Sequence, residues 1–341
     1  MEFIPAILAR TIASCQIPLW KQELAVAYTQ PRDLLTDLGL EPELPQSARA
    51  AFTDFPFLVP RGYAAQMTRG DSQDPLLRQV LPTEAELITS PGYSTDPVGD
   101  AQAMCAPGLL EKYRGRALLV VTGACAIHCR YCFRRHFSYS EGALVHDRSL
   151  AALQTISSRQ DITEIILSGG DPLLYDDRRL ADLVERLSSI RHLRRLRLHT
   201  RLPIVLPSRV TPQLCAILNG SRLKTLVVVH ANHAQELGEE VRAALAVLQQ
   251  ANIPLLNQSV LLRGVNDNAQ SLAKLSEALF ECGVLPYYLH FLDPVAGASH
   301  FEVPIADALT LMEALRTQLP GYLVPRAVRE TPSASFKQPL C

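Results

Sequence analysis

The sequence predicts an α/β protein with a partial (β/α)6 TIM-like barrel, preceded by a helical, loop-rich N-terminal extension and followed by a C-terminal tail. From residue 116 onward, six short apolar runs rich in β-branched residues alternate with helical patterns. Successive runs begin 29 to 47 residues apart, which is typical of βα units on a parallel sheet. Because six units are too few to close an eight-stranded barrel, we expect an open barrel, with a doubly wound sheet as the alternative.

The chain divides into three predicted parts. Residues 1–105 form the extension, with helices at 47–52 and 75–81 and loops at 61–70 and 91–100. Residues 106–321 form the barrel and residues 322–341 the tail. The predicted strands are 117–122, 164–167, 195–199, 225–230, 254–262 and 286–292. The predicted helices are 150–157, 178–190, 211–218, 239–250, 269–282 and 305–318. We expect the chemistry at the carboxyl ends of the strands.

The composition and net charge exclude several classes of protein. The 341 residues are 48% apolar and 20% charged, which allows a sizeable core and excludes wholesale disorder. The net charge of −1 argues against a nucleic-acid coat. The sequence contains no run of 18 apolar residues and no basic segment before the apolar N-terminal stretch, so we expect neither a membrane span nor a secretory signal. Together with the scattered cysteines, this predicts a cytoplasmic protein.

Three of the eight cysteines lie close together directly after the first predicted strand. Cys125, Cys129 and Cys132 have C-x3-C-x2-C spacing, and three thiolates can hold three irons of a [4Fe–4S] cluster while the fourth iron stays open to a chelating ligand. A structural zinc site is the alternative, but it needs a fourth ligand, which His128 or His136 could supply. Three cysteines that merely pack in a core are the remaining alternative.

This cysteine segment, with Tyr131 before its last cysteine, resembles the signature of the radical S-adenosylmethionine superfamily. The resemblance implies that the amino and carboxylate groups of S-adenosylmethionine chelate the open iron. It also implies that an electron from the cluster cleaves S-adenosylmethionine to a 5′-deoxyadenosyl radical. The partial barrel, with the cluster loop after its first strand, agrees with the same superfamily.

Further segments resemble the lysine 2,3-aminomutases, and some resemble the branch that serves elongation factor P. The segments that resemble the whole family are residues 113–122, 168–172, 202–207, 257–267 and 286–288. The segments that resemble the elongation factor P branch are residues 75–81, 94–97 and 293–301. The resemblance implies an isomerase that converts (S)-α-lysine to (R)-β-lysine. A partner ligase would then attach β-lysine to elongation factor P. Oligomeric state is left open, a homo-oligomer included.

A 2,3-amino shift requires pyridoxal phosphate, and this cofactor requires a lysine. The sequence has five lysines and 28 arginines. The resemblance assigns the cofactor to Lys337, two residues before Pro339, although the preceding Ser-Ala-Ser-Phe differs from the lead-in usual in the family. Lys112 is the alternative. The resemblance also places Arg116 and Tyr113 beside pyridoxal phosphate.

The resemblance assigns two groups of residues to the ligands. Arg134 matches the arginine that binds the substrate carboxylate, a role suited to a bidentate guanidinium. Asp293 and Glu330 match the carboxylates that bind the distal ammonium of lysine. The residues expected beside S-adenosylmethionine are Ser168, Gly169, Gly170, Asp171, His230 and Gln258, and we expect the histidine pair His230 and His233 to line the same cavity.

The residues and the resemblance leave three functions to compare. The first is the lysine mutase described above. The second is an aminomutase for another amino acid such as glutamate, which the acidic pair Asp293 and Glu330 disfavours. The third is a non-catalytic iron–sulfur scaffold that binds elongation factor P or its ligase. The set of three cysteines, Lys337 and Arg134 disfavours this last alternative.

Overall fold

A ten-stranded sheet, in which the strands follow one another in chain order, forms the centre of the computed structural model. The structure describes residues 17–43, 45–139 and 146–340. The strands are β1 (Met104–Ala106), β2 (Leu109–Tyr113), β3 (Arg116–Thr122), β4 (Glu164–Gly169), β5 (Arg195–His199), β6 (Lys224–Val229), β7 (Leu255–Val260), β8 (Val284–His290), β9 (Arg326–Arg329) and β10 (Gln338–Pro339). All six predicted strands are present, as β3 to β8.

The seven strands from β3 to β9 are parallel, whereas β1, β2 and β10 are antiparallel to their neighbours. A sequential order means that every crossover moves the chain in the same direction, whereas a doubly wound sheet reverses direction at a switch point. The predicted partial barrel is therefore confirmed, and the doubly wound alternative is wrong. Within the described residues β1 and β10 do not pair, so the barrel is open.

Helices follow the strands from β3 to β8, as the alternating pattern predicts. Asp176, Thr211 and Asn268 each cap a helix by accepting a hydrogen bond from a backbone N–H in its first turn. The helices are α6 (His146–Ser158), α7 (Asp177–Ser189), α8 (Leu202–Val205), α9 (Pro212–Asn219), α10 (Glu239–Gln250), α11 (Ala269–Glu281) and α12 (Ile305–Gln318). The one-turn α8 was not predicted, and the other six correspond to the predicted helices.

The N-terminal extension packs directly on the barrel. Its helices are α1 (Leu19–Ala25), α2 (Pro31–Asp37), α3 (Gln46–Asp54), α4 (Arg61–Ala64) and α5 (Pro75–Arg78). Buried side chains of the extension, such as Leu34, Tyr63 and Leu76, belong to the same hydrophobic cluster as the barrel strands. The predicted loop at 61–70 is wrong in its first four residues, which form α4. The division of the chain into three parts stays a prediction.

Two strand pairs lie outside the predicted βα units. The hairpin β1–β2 precedes the first barrel strand, and the predicted tail contains β9, a seventh parallel strand. The tail therefore brings residues 330–337 to the barrel, since β10 folds back on β9. Among the described helices, none has the length and apolar character needed to cross a membrane. The N-terminal stretch examined for a secretory signal lies largely outside the described residues.

Candidate active site

A cavity of about 520 Å³ lies within the open barrel and reaches the carboxyl ends of the parallel strands. Its walls come from strand ends, from the loop after β3, from the β2–β3 hairpin and from the tail. With the exception of His233, the residues that the sequence predicts for the site line this one cavity. They are Tyr113, Arg116, Cys125, Cys129, Cys132, Arg134, Ser168, Gly169, Gly170, Asp171, His230, Gln258, Asp293, Glu330 and Lys337.

The loop after β3 carries the three cysteines into the cavity. Arg130 anchors this loop, because its fully buried guanidinium donates to Glu86 at 2.8 and 2.5 Å and to the carbonyl of Ala51 at 3.0 Å. Burial raises the pKa of Cys132 to about 11 and the pKa of Cys125 well above its ordinary value. Buried thiolates of this kind are stabilised by metal, so the donor set fits an iron–sulfur cluster.

The two histidines that could complete a zinc site each have one ring nitrogen beside a backbone carbonyl oxygen. Nδ1 of His128 lies 3.0 Å from the carbonyl oxygen of Pro56, and Nε2 of His136 lies 3.0 Å from that of Ala296. In residues 17–43, 45–139 and 146–340, no three His, Cys, Asp or Glu side chains converge on a single metal ion. One nitrogen of each imidazole is therefore occupied by the backbone, which disfavours the zinc alternative.

The turn Ser168–Asp171 lies against the cysteine loop, and its glycines make this contact feasible. Gly169 has a φ of +122°, and a Cβ on Gly170 would lie 2.1 Å from the carbonyl oxygen of Ala124. The N–H of Asp171 donates to that same oxygen at 2.8 Å. The turn therefore couples β4 to the cysteine loop through the backbone.

The side chain of Asp171 is occupied by donors from the protein. Its carboxylate accepts from Thr200 Oγ1 at 2.7 Å and from the N–H groups of Arg201, Leu202 and Leu173 at 2.7, 3.2 and 3.0 Å. Burial raises its pKa to about 6 despite these bonds. The Asp171 carboxylate thus stabilises the segment that follows β5. Its contact with S-adenosylmethionine stays a prediction.

One end of the cavity is acidic and lies beside two lysines. Glu330 accepts from Lys337 Nζ at 2.6 Å and from Lys112 Nζ at 2.8 Å. Burial opposes its ionisation, but the two ammonium groups prevail and lower its pKa to about 2. Asp293 is half-buried, and its buried Oδ1 has no hydrogen-bond partner among the described residues. Burial, and then the negative charge of Glu330, raise the pKa of Asp293 to about 7.

Another wall of the cavity presents a buried guanidinium. Arg134 Nε donates to Asp100 Oδ2 at 2.6 Å, and its Nη1 donates to Ser168 Oγ at 3.1 Å. The other carboxylate oxygen of Asp100 lies 2.5 Å from Lys112 Nζ. A continuous chain of alternating charges therefore runs from Arg134 through Asp100 and Lys112 to the acidic end of the cavity.

Lys337 and Lys112 both line the cavity but differ in their partners. Lys112 Nζ contacts Asp100, Glu330 and the carbonyl oxygen of Val98, all within 2.9 Å. Among the described residues, Lys337 Nζ has a single hydrogen-bond acceptor, Glu330. An amine already held by three oxygens has less freedom to react than one held by a single carboxylate, so this geometry favours Lys337 as the cofactor lysine.

Two cationic side chains of the cavity, Arg116 and Lys337, lie beside aromatic rings. The Arg116 guanidinium lies 4.7 Å from the centre of the Tyr113 ring, across the turn between β2 and β3. Lys337 Nζ lies 5.9 Å from the centre of the Tyr288 ring. The predicted neighbours of pyridoxal phosphate are therefore in one cavity with Lys337, in a setting that pairs cations with rings.

The two histidines after β6 have different surroundings. His230 lines the cavity, and its Nε2 lies 3.2 Å from the hydroxyl of Tyr131. His233 does not line it, because its ring accepts from the N–H of Gln235 and caps a short helical turn. The expectation that both histidines line the cavity is therefore wrong for His233.

The sequence matches a known family model and several characterised proteins. The model of the radical SAM superfamily matches residues 119–275. The chain is 48% identical to L-lysine 2,3-aminomutase of Escherichia coli (strain K12) over 322 residues, which cover 94% of each chain. It is 34% identical to L-lysine 2,3-aminomutase of Clostridium subterminale over 296 residues, which cover 86% of this chain and 69% of that protein. The chain belongs to the lysine 2,3-aminomutase family.

Membership of the lysine 2,3-aminomutase family makes this chain an isomerase of the radical SAM superfamily. The non-catalytic scaffold is therefore not the function of this chain. Family membership also supports the predicted S-adenosylmethionine and [4Fe–4S] cluster, whose three cysteines the fold brings to one cavity.

In this lysine 2,3-aminomutase family member, sequence analysis missed two buried charged residues at the site. Asp100 lies in a segment that the sequence predicts to be a loop, yet its carboxylate accepts a hydrogen bond from Arg134. Arg201 was not assigned a role, yet its Nη1 lies 2.6 Å from Sγ of Cys129. A charged residue two positions past the carboxyl end of a strand, as Arg201 is after β5, is the signal that could have found it.

Proposed function

We propose that this chain converts (S)-α-lysine to (R)-β-lysine by radical chemistry that uses S-adenosylmethionine and pyridoxal phosphate. The observation that carries the proposal is the partly buried acidic pair Asp293 and Glu330 in the cavity that also holds Arg134 and the three cysteines. A buried carboxylate oxygen without a hydrogen-bond partner, such as Oδ1 of Asp293, favours a cationic ligand. The ammonium end of lysine supplies such a cation.

The charges of the cavity distinguish lysine from glutamate. Arg134 matches the α-carboxylate that both amino acids carry. The second end of the substrate meets Asp293 and Glu330, which attract an ammonium group and repel a carboxylate. The relatives named above are both lysine 2,3-aminomutases, which supports the same choice. Glutamate is therefore the disfavoured substrate.

The residues of the chain bind, orient and shield the reactants. When bound, the cluster with S-adenosylmethionine supplies a carbon radical, and pyridoxal phosphate supplies an acceptor for the migrating amino group. Cys125, Cys129 and Cys132 would hold the cluster, and Lys337 would hold pyridoxal phosphate. Arg134 and Asp293 would orient lysine between these two groups.

Lys112 keeps the acidic end of the site charged. Its ammonium lies between Asp100 and Glu330. Burial opposes the ionisation of both carboxyls, but Arg134 and Lys112 lower the pKa of Asp100, and Lys337 and Lys112 lower the pKa of Glu330. With Glu330 ionised over the whole neutral range, the recognition of lysine depends on the protonation of Asp293. Because the pKa of Asp293 is about 7, the affinity for lysine should change with pH in the neutral range.

The test is an anaerobic assay of purified protein with lysine, S-adenosylmethionine, pyridoxal phosphate and a one-electron reductant. We expect β-lysine as the product, identified by chromatography against both enantiomers, and no β-glutamate when glutamate replaces lysine. Cys129→Ala should lose the brown [4Fe–4S] absorption and all turnover. Turnover of glutamate but not of lysine would refute the proposed substrate.

We further propose that the product serves elongation factor P. The segments 75–81, 94–97 and 293–301, which resemble the branch named above, support this role. A cytoplasmic location follows from it, and a homo-oligomer stays a prediction that light scattering can measure. With elongation factor P and its ligase, the reaction mixture should add one β-lysyl mass to elongation factor P, whereas the Lys337→Ala variant should add none.

A further inference from the structure

Arg201, the second residue after β5, contacts a predicted cluster ligand from within the protein core. Its Nη1 donates to Sγ of Cys129 at 2.6 Å and to the hydroxyl of Tyr131 at 2.8 Å. Its Nη2 donates to Glu236 at 2.8 Å and to Gln79 at 2.7 Å. The guanidinium therefore has a fixed orientation, with one edge on the cysteine and the other on a carboxylate.

This arrangement places a charge beside the cysteine sulfur where water does not screen it. Arg201 is 7% exposed and Glu236 is fully buried. Glu236 also accepts from the N–H groups of Asn232 and His233 at 2.8 and 3.0 Å, which spreads its negative charge over several donors. The positive edge of Arg201 toward Cys129 is thus only partly offset.

Arg201 is also fixed through its backbone. Its N–H donates to Asp171 Oδ2 at 2.7 Å, and the N–H of Asp171 donates to the carbonyl oxygen of Ala124, next to Cys125. The end of β5, the turn after β4 and the cysteine loop are therefore joined by short bonds. A planar guanidinium held in this way keeps its donor aimed at the sulfur more firmly than a flexible ammonium would.

We propose that Arg201 is a positioning residue that sets the reduction potential of the cluster through its hydrogen bond to Cys129, with Glu236 as the opposing charge. The inference rests on the proposed [4Fe–4S] cluster at the three cysteines. The step concerned is the uptake of one electron by the oxidised cluster from a low-potential donor of the flavin or iron–sulfur class. No bond in Arg201 forms or breaks.

The direction of the effect follows from electrostatics. Reduction adds one negative charge to the cluster and its thiolates. A hydrogen bond and a positive charge at a cluster sulfur stabilise the reduced form and raise the potential. The buried carboxylate of Glu236 acts in the opposite sense, because it repels the added electron.

The experiment is a redox titration of anaerobically reconstituted protein, monitored by electron paramagnetic resonance. Arg201→Gln removes the charge, and we expect the equilibrium constant for one-electron reduction to fall at least tenfold, which corresponds to about 59 mV. Glu236→Gln keeps an oxygen acceptor for Asn232 and His233, and we expect a shift to less negative potential. Arg209→Gln is the matched control, because Arg209 is equally buried but contacts Leu173 and Asp177 instead of a cysteine.

The outcomes separate this inference from the proposed function. An Arg201→Gln protein with normal cluster absorption and the potential of the parent would overturn the inference alone. A parent protein that takes up no cluster would refute the proposed function, and the inference with it. Should Arg201→Gln not fold, Glu236→Gln decides, since an unshifted potential there would also overturn the inference.

Discussion

At the scale of single residues, the two acidic side chains of the cavity differ widely in pKa. Glu330 lies between two ammonium groups and stays ionised, with a pKa of about 2. Oδ1 of Asp293 is buried without such a partner, and burial and the negative charge of Glu330 raise the pKa of this residue to about 7. A cationic ligand that binds beside Asp293 favours its ionised form, so ligand binding and proton release are coupled at this residue.

Lysine binding should therefore depend on pH through Asp293. Because the ionised carboxylate binds the ammonium, affinity should rise as the pH increases through about 7 and level off above it. Asp293→Asn should remove this dependence and weaken lysine binding by about 30- to 150-fold. Calorimetry of protein loaded with pyridoxal phosphate and S-adenosylmethionine, without reductant, measures both effects. Asp307→Asn, on the exposed face of α12, is the control, and unchanged affinity in Asp293→Asn would exclude it from the ammonium site.

Lys337 should carry pyridoxal phosphate, since Lys112 is held by three oxygen acceptors. Borohydride reduction followed by peptide mass mapping should locate a pyridoxyl adduct on Lys337. Lys337→Ala should lose the adduct and the mutase activity but keep the iron–sulfur absorption. Lys274→Ala, an exposed position on α11, should behave as the parent. An adduct on Lys112 alone would contradict the assignment.

At the scale of elements, the turn after β4 and the loop after β3 form a single support for the cysteines. The support depends on Gly170, because a Cβ at this position would clash with the carbonyl oxygen of Ala124. Gly170→Ala should destabilise the fold by about 1–3 kcal/mol and lower the cluster content after reconstitution. Gly321→Ala is the matched control, because a Cβ there meets no atom within 4 Å. Denaturant unfolding and iron analysis measure the two effects, and full cluster content in Gly170→Ala would contradict this view of the turn.

Predictability from sequence also differs among elements. The barrel strands and helices could be predicted because their apolar periods are local. β9 could not, since Arg326–Arg329 places charged residues at both ends of a four-residue strand. The contacts of Asp100 with Arg134 and of Arg201 with Cys129 span 34 and 72 residues, and no local pattern signals them. Most of the candidate site was predicted from family resemblance, because the residue patterns alone left zinc and Lys112 open.

At the scale of the whole molecule, charged side chains from distant parts of the sequence form one network of ion pairs. Asp100 comes from the extension, Lys112 from β2 and Glu330 from the tail. Each ion pair therefore ties one part of the chain to another, and its loss should loosen the tail as well as the site.

Glu330 should contribute to the stability of the fold in a pH-dependent way. Its pKa is lowered from 4.5 to about 2 in the folded protein, so its stabilisation is present above 4.5 and is lost as the pH falls toward 2. Without added cofactor, Glu330→Gln should be less stable than the parent by about 2 kcal/mol near neutral pH, and the difference should shrink in acid. Denaturant unfolding at several pH values measures this, with exposed Glu313→Gln as the control. A difference that is independent of pH would contradict the ion-pair account.

The sequential order of the strands has a consequence for how the protein is made. Each strand pairs with the one synthesised just before it, so the sheet can grow while the chain leaves the ribosome. The cysteine loop and the turn that supports it come together once β4 has been made. Glu330 and Lys337 arrive only with β9 and β10. A nascent chain that ends after β8 would already present all three cysteines, and cluster insertion can thus precede completion of the lysine site.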